Sequence, residues 1–584
     1  MAVVVSNSRS LQSLYSWYSE GKLAVNRRYQ RKLVWTLEEK QRLVESVLNQ
    51  YPVPAVLLAE REGDNYEIID GLQRLHTLMS FIEMKFPTSD DEKFDVSRFA
   101  TAQERADQGF FEKIEGAKLL DRSRLIAYLD YEMPVTTMRG AEESEIEDVF
   151  ARINTYGHRL SDQERRQAGV EDKFASMVRE LSSAVRGDVS TNVLDLSEMP
   201  SISIDLPMSK HGYTVKASDV FWVKQGVLRS TDLRKSEDEQ CIADIAASVV
   251  GGSVLPRSSE ALDAIYESGS SENIRVSSAL ETKGAAVFQQ EFLYCLGEIE
   301  KICGSAKLRN LLFSKGNTNG FAATFAVLFI ALHEALIEEK KKISDYAGAA
   351  LALKNLNARL DTSRRGGLAD ERRNHANVIK GLLAPYLVPA ESRDIYGEQS
   401  PLEIENIIRR SRIELAHYEL KQGLLRLDDQ RTLDNEVIEQ VLKTICGIAN
   451  NGKGRSGAVV VGVADKARDA QRVEELDRIT PMEVGPERMV VGVNREAAAL
   501  GETVEDYVAR WKTAITNADL SSHLKSSVLS SMTYNDFYGF GVLVLPVPGQ
   551  DKLSFFNDNV YWRKSDETTK ASSTMEIAEI AQRF

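Results

Sequence analysis

The sequence predicts an α+β multidomain chain with an α/β unit at 1–170, a mainly helical middle at 171–400 and a second α/β unit at 401–584. Three observations lead there. At 584 residues the chain is too long for a single core and calls for several domains. Near both ends, short apolar runs of strand character alternate with amphipathic helix patterns, as α/β units do. Between Lys173 and Ile395 the apolar residues recur mostly at helical spacing.

In the first unit, Leu23 to Asn26 reads as a strand. Thr36 opens a helix as a capping box with Glu39, and Leu43, Val44, Val47 and Leu48 form its apolar face. Pro52 and Pro54 stop that helix. Val53 to Leu58 and Tyr66 to Asp70 read as two strands joined by the charged turn Glu60 to Asn65. A helix follows from about Leu72, lined by Leu75, Leu78, Met79 and Ile82. After the polar stretch Phe86 to Lys118, Arg124 to Val135 reads as another strand region. Glu142 to Ile153 reads as an amphipathic helix broken by the run Arg152 to Gly157, with Gly157 as its stop. Ser161 and Glu164 make a second capping box.

In the middle, the most apolar long run is Gly320 to Ile337. His333 and Glu334 interrupt it, so it reads as a buried helix and not a membrane span. Asp195 to Lys216 and Gly251 to Arg275, rich in Ser, Gly and Pro, read as the least ordered parts, and Arg364 to Gly367 as a connection between helices. A boundary falls near Ser400. From Pro401 a short helix leads into the second α/β pattern, with a helix at Leu433 to Asn451 and a buried strand at Ala458 to Val463.

Composition narrows the function. With 43% hydrophobic and 27% charged residues the chain reads as globular, and a formal net charge of -14 excludes a protein that coats nucleic acid generally. Nucleic-acid contact then requires local basic patches. Candidates are Arg27, Arg28, Arg31 and Lys32; Arg165 and Arg166; Arg364 and Arg365; and Arg409, Arg410 and Arg412, and a solvated helix face or loop is the simpler account of each group taken singly. The 4 cysteines, Cys241, Cys295, Cys303 and Cys446, form no C-x-x-C pair, which excludes the usual structural zinc patterns and fits a reducing cytoplasm. The start, Met1 to Ser6, is too short and lacks the basic lead of a signal peptide, so the expected location is cytoplasmic, with no membrane partner. No G-x-x-x-x-G-K-[ST] phosphate loop occurs.

The run Asp70-Gly71-Leu72-Gln73-Arg74 sits where a strand turns directly into a helix. The first backbone N–H groups of such a helix are free, Gly71 lets a ligand approach, and Arg74 adds a charged planar fork, a combination suited to phosphate. Asp70 has three candidate roles: capping the helix, holding a divalent metal beside a triphosphate, or orienting a water. The plain alternative is a capped turn with a surface arginine. His76 follows on the same helix and suits packing better than chemistry.

Near the other end, Glu414 precedes a strand in which Glu419 and Lys421 share one face by the two-residue period. Asp465 closes the later buried strand, and Asp469 stands close enough in sequence to substitute for it. Three carboxylates suit Mg2+ or Mn2+, which can polarise a phosphodiester and activate water, with Lys421 stabilising developing charge. Surface charges at a turn are the alternative. Asn374-His375 lacks a second histidine at a useful spacing and reads as a helical surface histidine.

Three ordered blocks carry a resemblance. Asn26-Arg27-Arg28-Tyr29-Gln30-Arg31 with Trp35, then Asp70-Gly71-Leu72-Gln73-Arg74, then Val149-Phe150-Ala151-Arg152-Ile153-Asn154 with Gly157, Leu160-Ser161 and Glu164, resemble the N-terminal domain of GmrSD-type restriction enzymes. That family is ParB/sulfiredoxin-like, and its central Asp-Gly-Gln-Gln-Arg motif supports nucleoside triphosphate hydrolysis. Leu72 replaces the first glutamine here. The resemblance implies one nucleotide pocket built from Tyr29, Gln30, Arg31, Gly71, Arg152 and Asn154, with Asp70, Gln73 and Arg74 as its catalytic set and Asp70 near magnesium.

A second set is similar to the Schlafen AlbA-like domain: Glu414, Glu419, Lys421, Ile445 to Asn450, Val459 to Val463 and Asp465, then Gly541 to Val547 and Tyr561-Trp562-Arg563-Lys564-Ser565 with Thr568-Thr569. Some members cut RNA with two glutamates and an aspartate, which implies Glu414, Glu419 and Asp465 as metal ligands; many bacterial members are described only as nucleic-acid-binding domains. The compact Asn-x-x-Gly-Gly turn of that family is lengthened here to Asn450 through Gly457, adding Lys453 and Arg455, which either touch a phosphate backbone or solubilise a longer loop.

Together the two resemblances imply a bacterial anti-phage, restriction-like protein. A nucleotide-binding and hydrolysing N-terminal domain would control a C-terminal metal-dependent nuclease acting on DNA or RNA. The alternative is a nucleotide-responsive nucleic-acid-binding regulator without nuclease activity. A homo-oligomer and a phage-derived trigger are the further partners such a protein suits.

Overall fold

A computed structural model describes residues 3–26, 33, 35–61, 63–108, 110–156, 161–167, 170, 172–187, 193–196, 202–203, 215–314, 319–360, 367–390, 401–411, 416–484, 488–564 and 566–584. The chain forms two compact units. One holds 1–289, 302–335 and 343–387, and the other 290–301, 336–342 and 388–584.

The first unit begins with a mixed sheet. Its strands are β1 (Val3–Ser10), β2 (Leu23–Asn26), β3 (Val56–Arg61), β4 (Asn65–Asp70), β5 (Glu132–Arg139) and β6 (Val193–Asp195), in the order β1-β5-β3-β4-β2-β6. The two-residue period of the inner strands β3, β4 and β5 feeds a core on either face. Leu58 and Ile68 enter the larger core, shared with helices α1 (Leu11–Ser19), α2 (Leu37–Leu48), α3 (Leu72–Ile82), α4 (Ala100–Asp107) and α5 (Arg122–Leu129). Their neighbours Ala59 and Ile69 face the other way and meet Ile146 and Phe150 of α6 (Glu143–Tyr156).

The capping box of Thr36 and Glu39 forms at the start of α2. Two expectations for this region change. The stretch Arg124 to Val135 is largely the helix α5, capped by Asp121, with the strand starting only at Glu132. Leu125, Tyr128 and Leu129 fall at helical spacing and bury one face, which outweighs the strand preference of the run. Likewise α6 is not broken at Arg152-Ile153-Asn154 but continues to Tyr156, because Ile146 and Phe150 anchor it to the sheet.

Apart from the short parallel pair Ile202–Ser203 with Val215–Lys216, the rest of this unit is mainly helical, starting with α7 (Asp162–Gln167) and α8 (Lys173–Arg186). Gly251 to Arg275, expected to be poorly ordered, carries the helix Ser259–Tyr266 and the start of Ser271–Lys283, each capped by a serine. The apolar run at 320–337 is a buried helix, Ala322–His333, continued by a wider π turn at Glu334–Glu338. No helix among the described residues is long and apolar enough to cross a membrane. Buried ion pairs hold the bundle: Arg186 bonds Asp238 at 2.5 Å and Glu239 at 2.6 Å, and Arg372 bonds Asp244 at 2.8 and 2.9 Å. His375 is buried in the helix Ala369–Leu383, not on its surface, because that face packs inward through Arg372, Ala376 and Ile379. The cysteines are all buried thiols.

In the second unit the strand Tyr418–Lys421 runs parallel to Gly457–Val461, which pairs antiparallel with Phe540–Val547, itself paired with Thr533–Phe537. Val459, Val461, Leu543 and Leu545 pack with the helix Asn435–Ala449. Leu420, Val460 and Val542 face the helix Pro401–Arg410. The expected closing strand is a hairpin, Tyr561–Lys564 with Glu567–Lys570.

Candidate functional site

At the end of β4 the strand passes into α3 through Gly71 alone. Gly71 has φ +99, and a Cβ there would lie 2.9 Å from Val56 Cγ2, so the position demands glycine twice over. Gly71 is also the N-cap, with no side-chain hydrogen bond to the helix. Asp70 therefore does not cap α3. Its Oδ2 instead accepts from Arg74 Nη2 at 2.8 Å, and the same nitrogen donates to the Ala55 carbonyl at 3.0 Å. Arg74 Nε is buried and has no hydrogen-bond partner among the described residues. Asp70 is 43% exposed and Arg74 17% exposed, so the carboxylate faces solvent while the guanidinium lies beneath it.

The parallel pairing of β2 with β4 brings the chain out at the same end of the sheet twice, after Asn26 and after Asp70. Asn26 is buried there and donates to Glu143 Oε1 at 3.4 Å, while Arg61 bonds both Glu67 and Glu143, which pins the start of α6 to the same sheet. Tyr29, Gln30, Arg31, Gly157 and Leu160 lie outside the described residues, as does the side chain of Asn154. Gln73 stands in the first turn of α3. Arg152 pairs with Asp148 at 2.8 Å on the exposed face of α6 and bonds neither Asp70 nor Arg74. His76 is buried, 3.3 Å from Ser80 Oγ, and burial together with Lys40 and Lys85 pushes it well below its ordinary pKa. A neutral, enclosed imidazole of this kind is packing.

Both capping boxes of the motif region have a second partner that sequence reasoning missed. Glu39, held by the Thr36 N–H at 2.7 Å, also accepts two bonds of 2.9 Å from Arg234. Glu164, which bonds Ser161 at 2.9 Å, accepts from Ser236 Oγ at 3.5 Å. Ser236 is fully buried in the left-handed region at φ +56, an unusual state for serine. The end of the helix Ser230–Arg234 and the turn into the helix Glu237–Val250, residues 234–236, thus touch the chain just after the first motif block and within the third.

In the second unit, Glu419 and Lys421 do share a face, with Lys421 Nζ 2.7 Å from Glu419 Oε1. The other oxygen, Oε2, accepts from Arg563 Nη1 at 3.0 Å. Arg563 is 2% exposed and further donates to Thr568 Oγ1 at 3.0 Å and the Tyr418 carbonyl at 3.3 Å, while Thr568 meets Thr444 at 2.9 Å. Asp465 lies exposed past the short strand Val463–Ala464, its carbonyl accepting from Arg488 at 2.7 Å and its carboxylate bonding no described residue. Asp469 pairs with Arg468 at 3.4 Å. Glu414 lies outside the described residues. Among the described residues no group of three or more His, Cys, Asp or Glu is arranged to hold a metal. In the sequence Arg563 reads as part of a strand, and its placement opposite Glu419 reveals its role.

Residues 11–170 match the family described as GmrSD restriction endonuclease, N-terminal domain. The match runs from α1 through α7 and includes the Asp70–Arg74 turn and both capping boxes. No curated protein and no solved structure matches the chain.

Proposed function

We propose that this chain is a restriction-like defence protein whose N-terminal domain binds and hydrolyses a nucleoside triphosphate and thereby controls a C-terminal unit that acts on nucleic acid. The observation that carries this reading is the coincidence of the family match with a strand-to-helix turn suited to phosphate. In this reading the α3 N–H groups and Arg74 would receive the phosphate oxygens, and the buried Arg74 Nε has no hydrogen-bond partner among the described residues. Among the described residues Asp70 is bonded through one oxygen, and its other oxygen would be the one to hold a magnesium ion brought with the triphosphate. Arg152 joins by leaving Asp148, an exposed pair worth ~0.5 kcal/mol or less. Tyr29, Gln30, Arg31, Gln73 and Asn154 complete the pocket in this reading.

The signal travels through residues 234–236. Nucleotide that draws the first and third motif blocks together changes the positions of Glu39 and Glu164, and Arg234 and Ser236 follow them. Anti-phage defence is the role such control suits, with a phage-derived trigger or self-association as its input.

For the output, nuclease chemistry would use Glu414, Glu419 and Asp465 around Mg2+ or Mn2+, with Lys421 stabilising charge. A second reading, nucleic-acid binding without cleavage, is favoured by one observation: both oxygens of Glu419 are already engaged by cations. Incubating the purified chain with each nucleoside triphosphate, Mg2+ or Mn2+, and a panel of DNA and RNA separates the two. Phosphate release abolished by Asp70→Ala supports the N-terminal assignment, and release unchanged by it sinks that assignment. Strand breaks lost in Glu419→Gln with binding retained support the nuclease. Binding without breaks under every metal and substrate supports the regulator.

A further inference from the structure

The lengthened loop from Asn450 to Gly457 is fixed far more firmly than an exposed glycine-bearing loop needs to be. Asn450 is fully buried and bonds the Ser554 and Tyr561 carbonyls at 2.9 and 2.8 Å. Asn451 Nδ2 donates to the Ala416 carbonyl at 2.8 Å, and the Lys453 N–H donates to the Arg583 carbonyl at 2.9 Å. Lys453 also bridges to Gln550, and Gly549 approaches so closely that a Cβ there would lie 2.5 Å from the Gly454 carbonyl carbon. At the far end, His417 Nδ1 lies 2.9 Å from the Ser456 carbonyl.

What this stitching presents outward is positive charge. Lys453 and Arg455 are exposed, and Arg583 is exposed beside them with its guanidinium 5.2 Å above the Trp562 ring. Trp562 is itself held by a 3.1 Å bond from its indole N–H to Glu576. Burial against its surroundings and the neighbouring Arg455 cation push Arg583 below its ordinary pKa, partly offset by Glu579. Like charges gathered on a pre-set backbone cost free energy in the isolated protein, and an arriving polyanion returns it. The chain as a whole carries -14, so this patch opposes the overall field and acts at short range.

We infer that Lys453, Arg455 and Arg583 form a preorganised surface that grips the phosphate backbone of a nucleic acid. The inference rests on the reading of the second unit as one that engages nucleic acid, and it names the surface that does so. The contacts are to phosphate, so they position the strand and carry no base sequence. The surface is separate from the Glu419, Lys421 and Arg563 cluster in residue content, so it can be removed without touching that cluster.

The test measures binding of the full chain to single-stranded and duplex 20-mers of DNA and RNA across a salt series. Each phosphate contact contributes about 0.7 to 0.9 to the slope of log K against log salt. The triple variant Lys453→Ala, Arg455→Ala, Arg583→Ala is expected to lose about two to three from that slope and to bind roughly tenfold or more weakly at moderate salt. The charge-preserving triple Lys453→Arg, Arg455→Lys, Arg583→Lys is expected to keep the slope, which separates charge from folding. An alanine triple variant with the parent's thermal unfolding and an unchanged slope overturns this surface and leaves the nucleic-acid reading standing. An unmutated chain that binds none of the four probes overturns the reading itself.

Discussion

Asp70 and Glu419 are both strand carboxylates gripped by arginine, and they differ in what is left over. Asp70 ends its strand, is 43% exposed, and has one cation partner among the described residues, one helical turn away. Glu419 lies within its strand, is 18% exposed, and is bonded by Lys421 from the same strand and by Arg563 from a hairpin far along the chain. The first pair can open around a ligand at a cost of under ~1 kcal/mol. Opening the second exposes a buried arginine to loss of its counter-charge, which costs several times more. The N-terminal pair is thus the cheaper of the two to open, and the C-terminal cluster the one that holds its electrostatic arrangement.

The largest expected effect tests that contrast directly. Arg563→Met leaves Glu419 mostly buried with only Lys421, and should destabilise the second unit by about 3 kcal/mol. Adding Glu419→Gln should recover most of the loss, since the pair is then removed together. Thermal unfolding of the parent, single and double variants reads this out. A single-variant loss below about 1 kcal/mol would make the cluster no different from an exposed pair and would break the comparison.

A smaller loss is expected at the other site, and from backbone rather than charge. Gly71→Ala meets Val56 at 2.9 Å and holds alanine at φ +99, so about 1–3 kcal/mol is expected. Val56→Ala in the same chain should relieve the contact but not the dihedral strain, returning only part of the stability. Full recovery would show that packing alone selects glycine there and would weaken the case for a turn shaped to admit a ligand.

These contrasts were only partly legible in the sequence. Local patterns carried well: the strand-to-helix turn at Asp70, the capping boxes of Thr36 and Ser161, and the shared face of Glu419 and Lys421 all depend on residues within a few positions of one another. What the sequence hid is separation. Arg563 meets Glu419 across 144 positions and Arg234 meets Glu39 across 195, and no periodicity links such pairs. The same is true of His375, whose burial depends on which elements pack against its helix. The misread at Arg124 to Val135 has another cause: a short apolar run suits strand or helix alike, and the Asp121 cap with the packing of Tyr128 settles it.

The smallest effects on stability belong to Arg74 and Arg152, and they sharpen the comparison most. Arg152→Ala removes only an exposed pair with Asp148, so unfolding should shift by no more than about 0.5 kcal/mol. Arg74→Ala removes a pair whose acid is half exposed together with one bond to a carbonyl, for about 1 kcal/mol. If the turn and α6 hold the phosphates as proposed, nucleotide affinity should respond far out of proportion, falling roughly tenfold or more for each through the loss of charge-assisted bonds to phosphate. Calorimetric titration of each variant with nucleoside triphosphate and Mg2+ measures this beside the melting curve. If Arg74→Ala binds as tightly as the parent, the Asp70–Arg74 pair is only a brace for the turn; if Arg152→Ala alone does so, α6 lies outside the pocket and the third motif block acts through its capping box at Ser161 and Glu164.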